Sequence, residues 1–332
     1  MTHRVAAIDC GTNSIRLLIA DIKSNADDLE RSRGPSDSAG SFRPPLTDLS
    51  REMRIVRLGE GVDRTGRLSE AALDRTMTAL REYAGLIAEA KPEAIRMVAT
   101  SATRDAENSR EFTDRVVDVL GVAPEVISGD EEARLSFTGA TRELAGTPLA
   151  ADGADPPYLV TDIGGGSTEF ILGGPEGVDS GRSVNIGCVR LTERHLHGDP
   201  PLNQEVADTI ADIDAALAVA ASAVPVDKAR TLVGLAGSVT TVGAIALGLD
   251  RYDSVRIHHS RVSAARVHEI ATELLAMTRA ERAAIPVMHP GRVDVIGAGA
   301  LILDRIMTSF GFAEVLVSEH DILDGIAWSL VP

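Results

Sequence analysis

Two short glycine-containing turns hold the residues of this chain whose types and spacing could do chemistry. The first is Ile8-Asp9-Cys10-Gly11-Thr12-Asn13-Ser14, and the second is Thr161-Asp162-Ile163-Gly164-Gly165-Gly166-Ser167-Thr168-Glu169. Each follows an apolar, β-rich run and leads into another, which predicts a β-hairpin with an aspartate at the end of its first strand. Backbone amides in such turns bind phosphate oxygens, and the aspartate can hold a divalent cation or its water shell.

The pair of turns is a stronger signal than either turn alone. A lone aspartate in a glycine-rich turn most simply shapes the turn. Two turns with similar flanks, each with its own aspartate, predict two hairpins that face each other and clamp a phosphate chain. We expect the amides of Gly11–Ser14 and Gly164–Ser167 to cradle phosphates, with Asn13, Ser14, Ser167 and Thr168 adding side-chain partners.

The composition is that of a soluble globular protein long enough for two domains. The chain has 332 residues, of which 44% are hydrophobic and 25% charged. The net charge of −16 opposes a nucleic-acid-binding role, which usually requires a basic surface. An acidic protein that binds polyanions needs a local arginine pocket or a metal, so the arginines near the turns become candidates.

The sequence also predicts a compartment. Its two cysteines, Cys10 and Cys188, form no disulfide framework and favour a reducing environment. Asp9 interrupts the first apolar run, which therefore does not resemble a signal peptide. No stretch approaches the roughly 18 uncharged apolar residues of a membrane span. We therefore predict a cytoplasmic protein with no membrane partner.

The first half of the chain alternates between predicted strands and helices. A hairpin over 4–22 precedes a polar segment at about 24–50 that is rich in Gly, Pro and Ser, and we predict that most of it is flexible. The apolar patterns then predict a strand at 53–58, a helix at 69–89 with Ser69 as N-cap, a strand at 95–99, a helix at 109–120, a strand at 125–127 and a helix at 130–144. This order indicates an α/β fold.

After a loop at 145–157 the same pattern begins again. The predicted elements are a hairpin at 158–173, a strand at 180–185, helices at 187–196 and 203–222, a strand at 231–235, helices at 237–247, 262–277, 280–285 and 292–310, a strand at 314–317 and a helix at 321–330. The two halves therefore look like diverged copies of one unit, each beginning with a hairpin turn. The cleft between them is the expected site.

Further motifs, in this order along nearly the whole chain, resemble the Ppx/GppA family of exopolyphosphatases and guanosine pentaphosphate phosphohydrolases. Besides the two turns they are Val98-Ala99-Thr100-Ser101-Ala102-Thr103-Arg104, Ile127-Ser128-Gly129-Asp130-Glu131-Glu132-Ala133-Arg134-Leu135, Gly234-Leu235-Ala236-Gly237-Ser238-Val239-Thr240-Thr241, Asp294-Val295-Ile296-Gly297-Ala298-Gly299-Ala300 and Val317-Ser318-Glu319-His320-Asp321-Ile322-Leu323-Asp324-Gly325. The resemblance implies membership of the actin, Hsp70 and sugar-kinase superfamily.

The resemblance also implies an architecture of two actin-like, ribonuclease H-like domains around a cleft. Domain I would span 1–131, with an insertion at about 24–50, and domain II would span 132–319. The final helix, within 320–332, would pack back on domain I, with Trp328 as its core anchor. Two features depart from the family. Its longer members carry a C-terminal helical domain where this chain stops, and the segment at 30–48 looks longer than usual.

The resemblance assigns the general base to Glu132, the second glutamate of Glu-Glu-Ala-Arg. A phosphoanhydride hydrolase needs a carboxylate that orients and deprotonates the attacking water. Alternatively, Glu131 and Glu132 only complement the N-terminus of their helix. Asp9 and Asp162 would position Mg²⁺ or its waters, with Glu169 as a further carboxylate, and a monovalent cation such as K⁺ is a possible addition.

Other residues matching the family are candidates for phosphate binding. Arg104 resembles the family's phosphate-binding arginine, and Arg16, Arg134 and Arg190 are further candidates. Gly237 and Ser238 begin a helix, whose N-terminus attracts anions. Cys188 could line the pocket, although a buried structural thiol is the simpler interpretation than a nucleophile. The rings of His258 and His259 should diverge on any regular element, which makes a metal site there improbable.

These observations predict a Mg²⁺-dependent hydrolase acting on a terminal phosphoanhydride. Inorganic polyphosphate is the leading substrate, with a bias to short chains, and guanosine pentaphosphate is second. A kinase of the same superfamily, an Hsp70-like clamp and a sensor that binds guanosine tetraphosphate are the rivals. A kinase would often have an aspartate in place of Glu132, the chain is too short for a clamp's appendage, and a sensor has no use for a general base. The family suggests a homodimer.

Overall fold

The computed structural model describes residues 1–23, 46–142, 144 and 154–331. Most of the predicted flexible segment and most of the loop at 145–157 lie outside these residues. In the first half the elements are β1 (Thr2–Cys10), β2 (Ser14–Lys23), β3 (Leu46–Ile55), α1 (Val62–Thr65), α2 (Glu70–Ala90), β4 (Ala94–Ala99), α3 (Ser101–Arg104), α4 (Ser109–Leu120), β5 (Glu125–Val126) and α5 (Gly129–Thr141).

The second half repeats this alternation. Its elements are β6 (Tyr158–Ile163), β7 (Thr168–Gly174), β8 (Gly177–Val184), α6 (Cys188–His195), α7 (Asn203–Ala223), β9 (Thr231–Leu235), α8 (Ala236–Ala246), α9 (Ser254–Ile257), β10 (Arg261–Ser263), α10 (Ala264–Ala276), α11 (Arg279–Ala283), α12 (Ile296–Phe310), β11 (Glu314–Val317) and α13 (Ile322–Trp328). Single 3₁₀ turns occur at Val226–Lys228 and Pro290–Arg292.

Within the described residues the strands form two sheets with the same core topology. The five-stranded sheet has the order β3-β2-β1-β4-β5, and the six-stranded sheet has the order β10-β11-β9-β6-β7-β8. In each, an antiparallel hairpin (β1–β2 or β6–β7) is followed by a third antiparallel strand and then by a parallel strand that pairs with the first. The predicted α/β fold, with two halves of the same core topology, is confirmed. We call the two sheets with their packed helices the first and second lobes.

The register places the two aspartates equivalently. Asp9 lies opposite Arg16 in the antiparallel hairpin and beside Val98 of parallel β4. Asp162 lies opposite Glu169 and beside Leu235 of parallel β9. Because the carboxyl ends of these neighbouring parallel strands meet at one edge of each sheet, both glycine-rich turns and the starts of α3 and α8 lie at those edges.

The final helix packs on the first lobe. Ile322, Ile326 and Trp328 of α13 share one buried cluster with Val5 and Leu18 of the first sheet. Helix α5 lies against α13 at glycines: a Cβ added to Gly139 would lie 1.8 Å from the Asp321 carbonyl oxygen, and one added to Gly325 would lie 2.0 Å from that of Leu135. Both helices therefore approach backbone to backbone. The boundaries at 131/132 and 319/320 stay a prediction.

Several predicted boundaries differ from the structure by two or more residues, and three of these differences have a clear cause. Strand β3 runs over Leu46–Ile55 instead of 53–58, because its pairing with β2 holds polar residues in an edge strand. The predicted helix at 262–277 begins only at Ala264, since Arg261–Ser263 pairs with β11. The predicted helix at 292–310 begins at Ile296 after the 3₁₀ turn. Within the part of the chain described, no helix has the length and apolar character to cross a membrane.

Candidate active site

A cavity of about 100 Å³ lies between the lobes, at the ends of β1 and β6. Both glycine-rich turns, the starts of α3 and α8 and the first turn of α5 supply its walls. Its lining residues are Asp9, Gly11, Thr12, Asn13, Ser14, Arg16, Ile55, Thr100, Ser101, Glu132, Asp162, Ile163, Gly164, Gly165, Ser167, Cys188, Ala236, Gly237, Ser238, Arg292, Val295, Ile296 and Ile322. The two lobes therefore build one site together.

The two turns have the same closure and touch each other. The amide of Gly11 donates to the Ser14 carbonyl at 3.0 Å, and that of Gly164 donates to the Ser167 carbonyl at 3.0 Å. A Cβ on Gly165 would lie 2.9 Å from Thr12 Cβ, and one on Gly166 would lie 2.7 Å from Ser101 Oγ. Glycine is required in the second turn because the first lobe occupies the space of a side chain.

Asp9 and Asp162 are both buried. In each carboxylate, protein side chains donate hydrogen bonds to Oδ2. Asp9 Oδ2 accepts hydrogen bonds from Arg16 at 2.6 and 3.0 Å, whereas Asp9 Oδ1 finds no hydrogen-bond partner in the described chain. Asp162 Oδ2 accepts from Ser136 Oγ at 2.7 Å. Burial raises the pKa of both carboxyls, that of Asp162 to about 6, while Arg16 opposes the rise for each.

These two carboxyls fit a hydrated divalent cation. Mg²⁺ is usually held by one or two protein carboxylates and completes its shell with water and substrate phosphates. An unpartnered buried oxygen such as Asp9 Oδ1 is costly unless something satisfies it, and a cation or its water would do so. Across the described residues, no group of three or more His, Cys, Asp or Glu is arranged to hold a metal by itself.

Glu132 reaches the cavity from the first turn of α5. Ser128 caps this helix by accepting from the Glu131 amide at 3.2 Å, and Glu132 is only 8% exposed. Arg104 donates to Glu132 Oε2 at 3.2 Å and to the Ile127 carbonyl at 2.9 Å. Burial raises the pKa of Glu132 to about 8, and the charge of Arg104 opposes that rise. Glu132 is therefore a buried carboxyl on the cavity wall, and a pKa near neutrality would suit a general base.

Glu131 and Glu132 have different surroundings, which bears on the alternative that both only complement the helix. Glu131 is partly exposed and pairs with Arg96 at 3.5 Å and Arg134 at 3.8 Å. Glu132 is buried and lines the cavity. A carboxylate that only complements a helix N-terminus does not need to be buried. The position of Glu132 therefore favours a role in the cavity over a purely structural role.

Four predicted site residues are not among those that line the cavity: Arg104, Gly166, Thr168 and Glu169. Thr168 Oγ1 donates to the Ile186 carbonyl at 2.8 Å and holds the hairpin in place. Glu169 is 1% exposed and accepts from Ser183 Oγ at 2.7 Å. Burial, with the charges of Glu132 and Asp162, raises the pKa of Glu169 well above its usual value. Glu169 is therefore placed to influence Glu132 electrostatically.

Sequence reasoning missed Arg292, the cationic group at the opposite wall. Arg292 Nη1 donates to Thr241 Oγ1 at 3.1 Å. Its guanidinium lies against Gly237, where an added Cβ would come within 2.3 to 2.6 Å of it. The preceding Ala236 adopts a φ of +67°, which is unusual for a non-glycine residue and marks a constrained turn. In the sequence, the Pro290–Arg292 turn just before α12 could have pointed to an arginine held at a helix start.

The remaining candidates resolve as follows. Burial raises the pKa of the Cys188 thiol, so it is a poor nucleophile, although it lines the cavity. The expectation that the rings of His258 and His259 diverge is wrong. The two rings stack with their centroids 3.6 Å apart, because the residues lie in an irregular turn, where His259 has a φ of +62°. Arg16 lines the cavity, but it is paired with Asp9 and Asp321.

Comparison with known proteins agrees with this geometry. A model of the Ppx/GppA phosphatase family matches residues 36–332. Exopolyphosphatase 2 of Mycobacterium tuberculosis is 50% identical to this chain, and the similarity covers 98% of each protein. Guanosine-5′-triphosphate,3′-diphosphate pyrophosphatase of Aeromonas salmonicida is 28% identical over 98% of this chain and 59% of its own length.

Solved structures show the same relationship. An exopolyphosphatase-like protein is 42% identical, with a TM-score of 0.87 over 98% of both chains. The PPX-GPPA enzyme of Aquifex aeolicus is 31% identical, with a TM-score of 0.77 over 99% of this chain and 100% of its own. With its two-turn cavity and Glu132 in place, the chain belongs to the Ppx/GppA phosphatase family.

Proposed function

We propose that this protein is an exopolyphosphatase, which hydrolyses the terminal phosphoanhydride of inorganic polyphosphate and releases orthophosphate. One observation carries the proposal: two glycine-rich turns, each with an aspartate at its strand end, meet across a single cavity that also contains Glu132. The relative Exopolyphosphatase 2, at 50% identity over 98% of both chains, supports it.

The terminal phosphates would be bound by the turn amides on both sides and by the cationic wall at Arg292. The N-terminus of α8 at Gly237 adds a partial positive charge. Asp9 and Asp162 would hold Mg²⁺, which when bound would neutralise phosphate charge and orient the reacting group. Substrate binding in this way needs residues from both lobes, so it requires a closed cleft.

Glu132 would accept the proton of the attacking water. The water oxygen forms a new bond to the terminal phosphorus as the bridging P–O bond breaks, and the bridging oxygen leaves with the shortened chain. Arg104 favours the ionised form of Glu132 in an environment that otherwise opposes it. The cavity measures about 100 Å³ and can hold only the end of a chain. The expected preference for short polymers stays a proposal.

A second candidate substrate is guanosine pentaphosphate. A neighbouring cavity of about 450 Å³ shares Arg16, Gly237 and Arg292 with the first. Its walls include Met53, Tyr252, Pro286, Val287 and Met288. The same cavity is also lined by the charged residues Arg51, Glu52, Glu319 and Asp321. The apolar part of its wall suits a nucleoside, so a nucleotide could place its phosphates at the turns and its base here.

The test measures orthophosphate release from short polyphosphate and from guanosine pentaphosphate, side by side, with Mg²⁺ and with a chelator. Glu132→Gln is expected to lower kcat by about 10²- to 10⁴-fold, while the matched control Glu131→Gln retains activity. The ratio of the two rates identifies the substrate. Equal activity of Glu132→Gln and wild type would overturn the assignment of the base.

We also infer a cytoplasmic homodimer. The two cysteines are both free and buried, which is usual in a reducing compartment. Symmetric dimers are the commonest assemblies of soluble proteins. Light scattering coupled to gel filtration tests the dimer, and a mass near the 35.0 kDa of one chain would contradict it.

A further inference from the structure

A group of charged residues joins the two lobes beside the second glycine-rich turn. Asp63 of α1 and Asp105 after α3 belong to the first lobe, and Arg190, Glu193 and Arg194 belong to α6 of the second. We call these five residues the clasp. None of them lines the phosphate cavity.

Arg190 is the centre of the clasp and has three partners. Its Nη1 pairs with Asp63, and its Nη2 donates to Asp105 Oδ2 at 2.6 Å. Its Nε donates to the Gly166 carbonyl at 2.7 Å. The Arg190 side chain is only 12% exposed, so these ion pairs are partly shielded from solvent and salt. One guanidinium therefore connects two carboxylates of one lobe to the glycine-rich turn of the other.

Glu193 and Arg194 add further contacts to the clasp. Both carboxylate oxygens of Glu193 accept from the Gly61 amide at 3.1 Å. Arg194 donates to Asp63 at 3.1 Å and to Asp212 of α7 at 2.6 Å, which fixes Arg194 on its own lobe. The positive and negative groups are therefore matched across the cleft.

We propose that the clasp holds the cleft closed and that Arg190 is a positioning residue, which couples closure to the placement of the second turn. This inference rests on the proposed hydrolase function. The turns touch at Thr12 and Gly165, so a closed cleft is needed to bring both sets of amides to one phosphate. A separate ion pair, Arg57 to Asp294 at 2.7 Å, also spans the lobes.

Closure and catalysis make different kinetic predictions. If only the closed form binds substrate, a protein that is closed for a smaller fraction of the time binds with a proportionally weaker apparent affinity. Saturating substrate restores closure, so kcat is retained. Simple loss of folded enzyme has the opposite signature, a lower kcat with unchanged KM.

The first test is the double variant Asp63→Asn/Asp105→Asn, which removes the charges of the two clasp aspartates and leaves Glu193 and the bond from Arg190 to Gly166 in place. We expect KM to rise about three- to tenfold, kcat to stay within about twofold of wild type, and small-angle X-ray scattering to show a larger radius of gyration without substrate. The matched control is Asp74→Asn/Asp214→Asn, which makes the same charge change. It removes ion pairs to Arg115 and Arg305 that lie inside one lobe each.

The outcomes separate the two proposals. Equal KM values for the two double variants, or a lower kcat at unchanged KM, would overturn the clasp. Wild-type protein that hydrolyses neither substrate would overturn the hydrolase proposal, and the scattering comparison would still decide the clasp. Arg190→Gln also loses the bond to Gly166, so its kcat is expected to fall by roughly tenfold or more. An unchanged kcat would refute the positioning role.

Discussion

The pairing of Arg104 with Glu132 leads to a prediction about the pH dependence of catalysis. The resemblance assigned Arg104 to phosphate binding, whereas in the structure its Nη1 lies 3.2 Å from Glu132 Oε2 and the residue does not line the cavity. Arg104→Met removes this charge at little cost in volume. Because the arginine favours the carboxylate form, its loss should raise the pKa of Glu132 further above its ordinary value.

The size of the effect follows from the geometry. Two unit charges at 3.2 Å attract by about 1 kcal/mol at the dielectric constant of water and about 5 kcal/mol at an effective value of 20. The side chains are 26% and 10% exposed, so the true value lies between these limits. Since about 1.4 kcal/mol corresponds to one pKa unit, the pKa of Glu132 should rise by at least about one unit.

The assay is kcat/KM for orthophosphate release between pH 6 and pH 10. A general base works only when ionised, so wild-type activity should rise with pH through a pKa near 8, and the rise should move to higher pH in Arg104→Met. At pH 7 the variant should lose about tenfold or more, with recovery at high pH. Arg104→Lys keeps the charge and is the control. A uniform loss at every pH, with no displacement of the curve, would refute this reasoning and support a phosphate contact.

Two predictions concern stability, each measured by urea denaturation. Gly139→Ala should lower the free energy of unfolding by about 3 kcal/mol, because its Cβ would meet the Asp321 carbonyl oxygen at 1.8 Å. The control Gly85→Ala has nothing within 4 Å of its Cβ and should raise the free energy of unfolding by about 0.5 to 1 kcal/mol. Equal effects of the two substitutions would contradict the backbone contact. Trp328→Ala should cost about 3 to 5 kcal/mol, because the ring is 6% exposed and lies 4.1 Å from the Arg142 guanidinium; a loss below about 1 kcal/mol would exclude α13 from the core.

Much of the fold could be predicted because its signals are local. Ser69 was expected to cap a helix, and its side chain accepts from the Ala72 amide at 3.3 Å. The strands at Thr231–Leu235 and Glu314–Val317 were predicted to the residue, since short apolar runs between polar segments are typical of buried parallel strands. Both glycine-rich turns could be predicted from their glycines and small polar residues between apolar runs.

What the sequence could not supply depends on contacts between distant residues. Strand β3 is an edge strand whose polar residues match no burial pattern, and only its pairing with β2 defines it. Arg292 reaches the cavity because the second lobe folds its turn against Gly237. The partner of Arg104 is likewise set by the packing of α3 against the segment before α5. The sequence showed which residue types were present, but not how far apart the fold would place them.

The packing of α13 on the first sheet has a consequence for the order of folding during synthesis. The buried cluster that contains Val5 and Leu18 is completed only by residues from Ile322 to Trp328. A nascent chain must therefore carry that face of the first sheet uncovered while all of the second lobe is made. Such long-range closure is slow, and exposed apolar strands are prone to aggregate. That face of the first sheet therefore stays exposed to aggregation until α13 has been made.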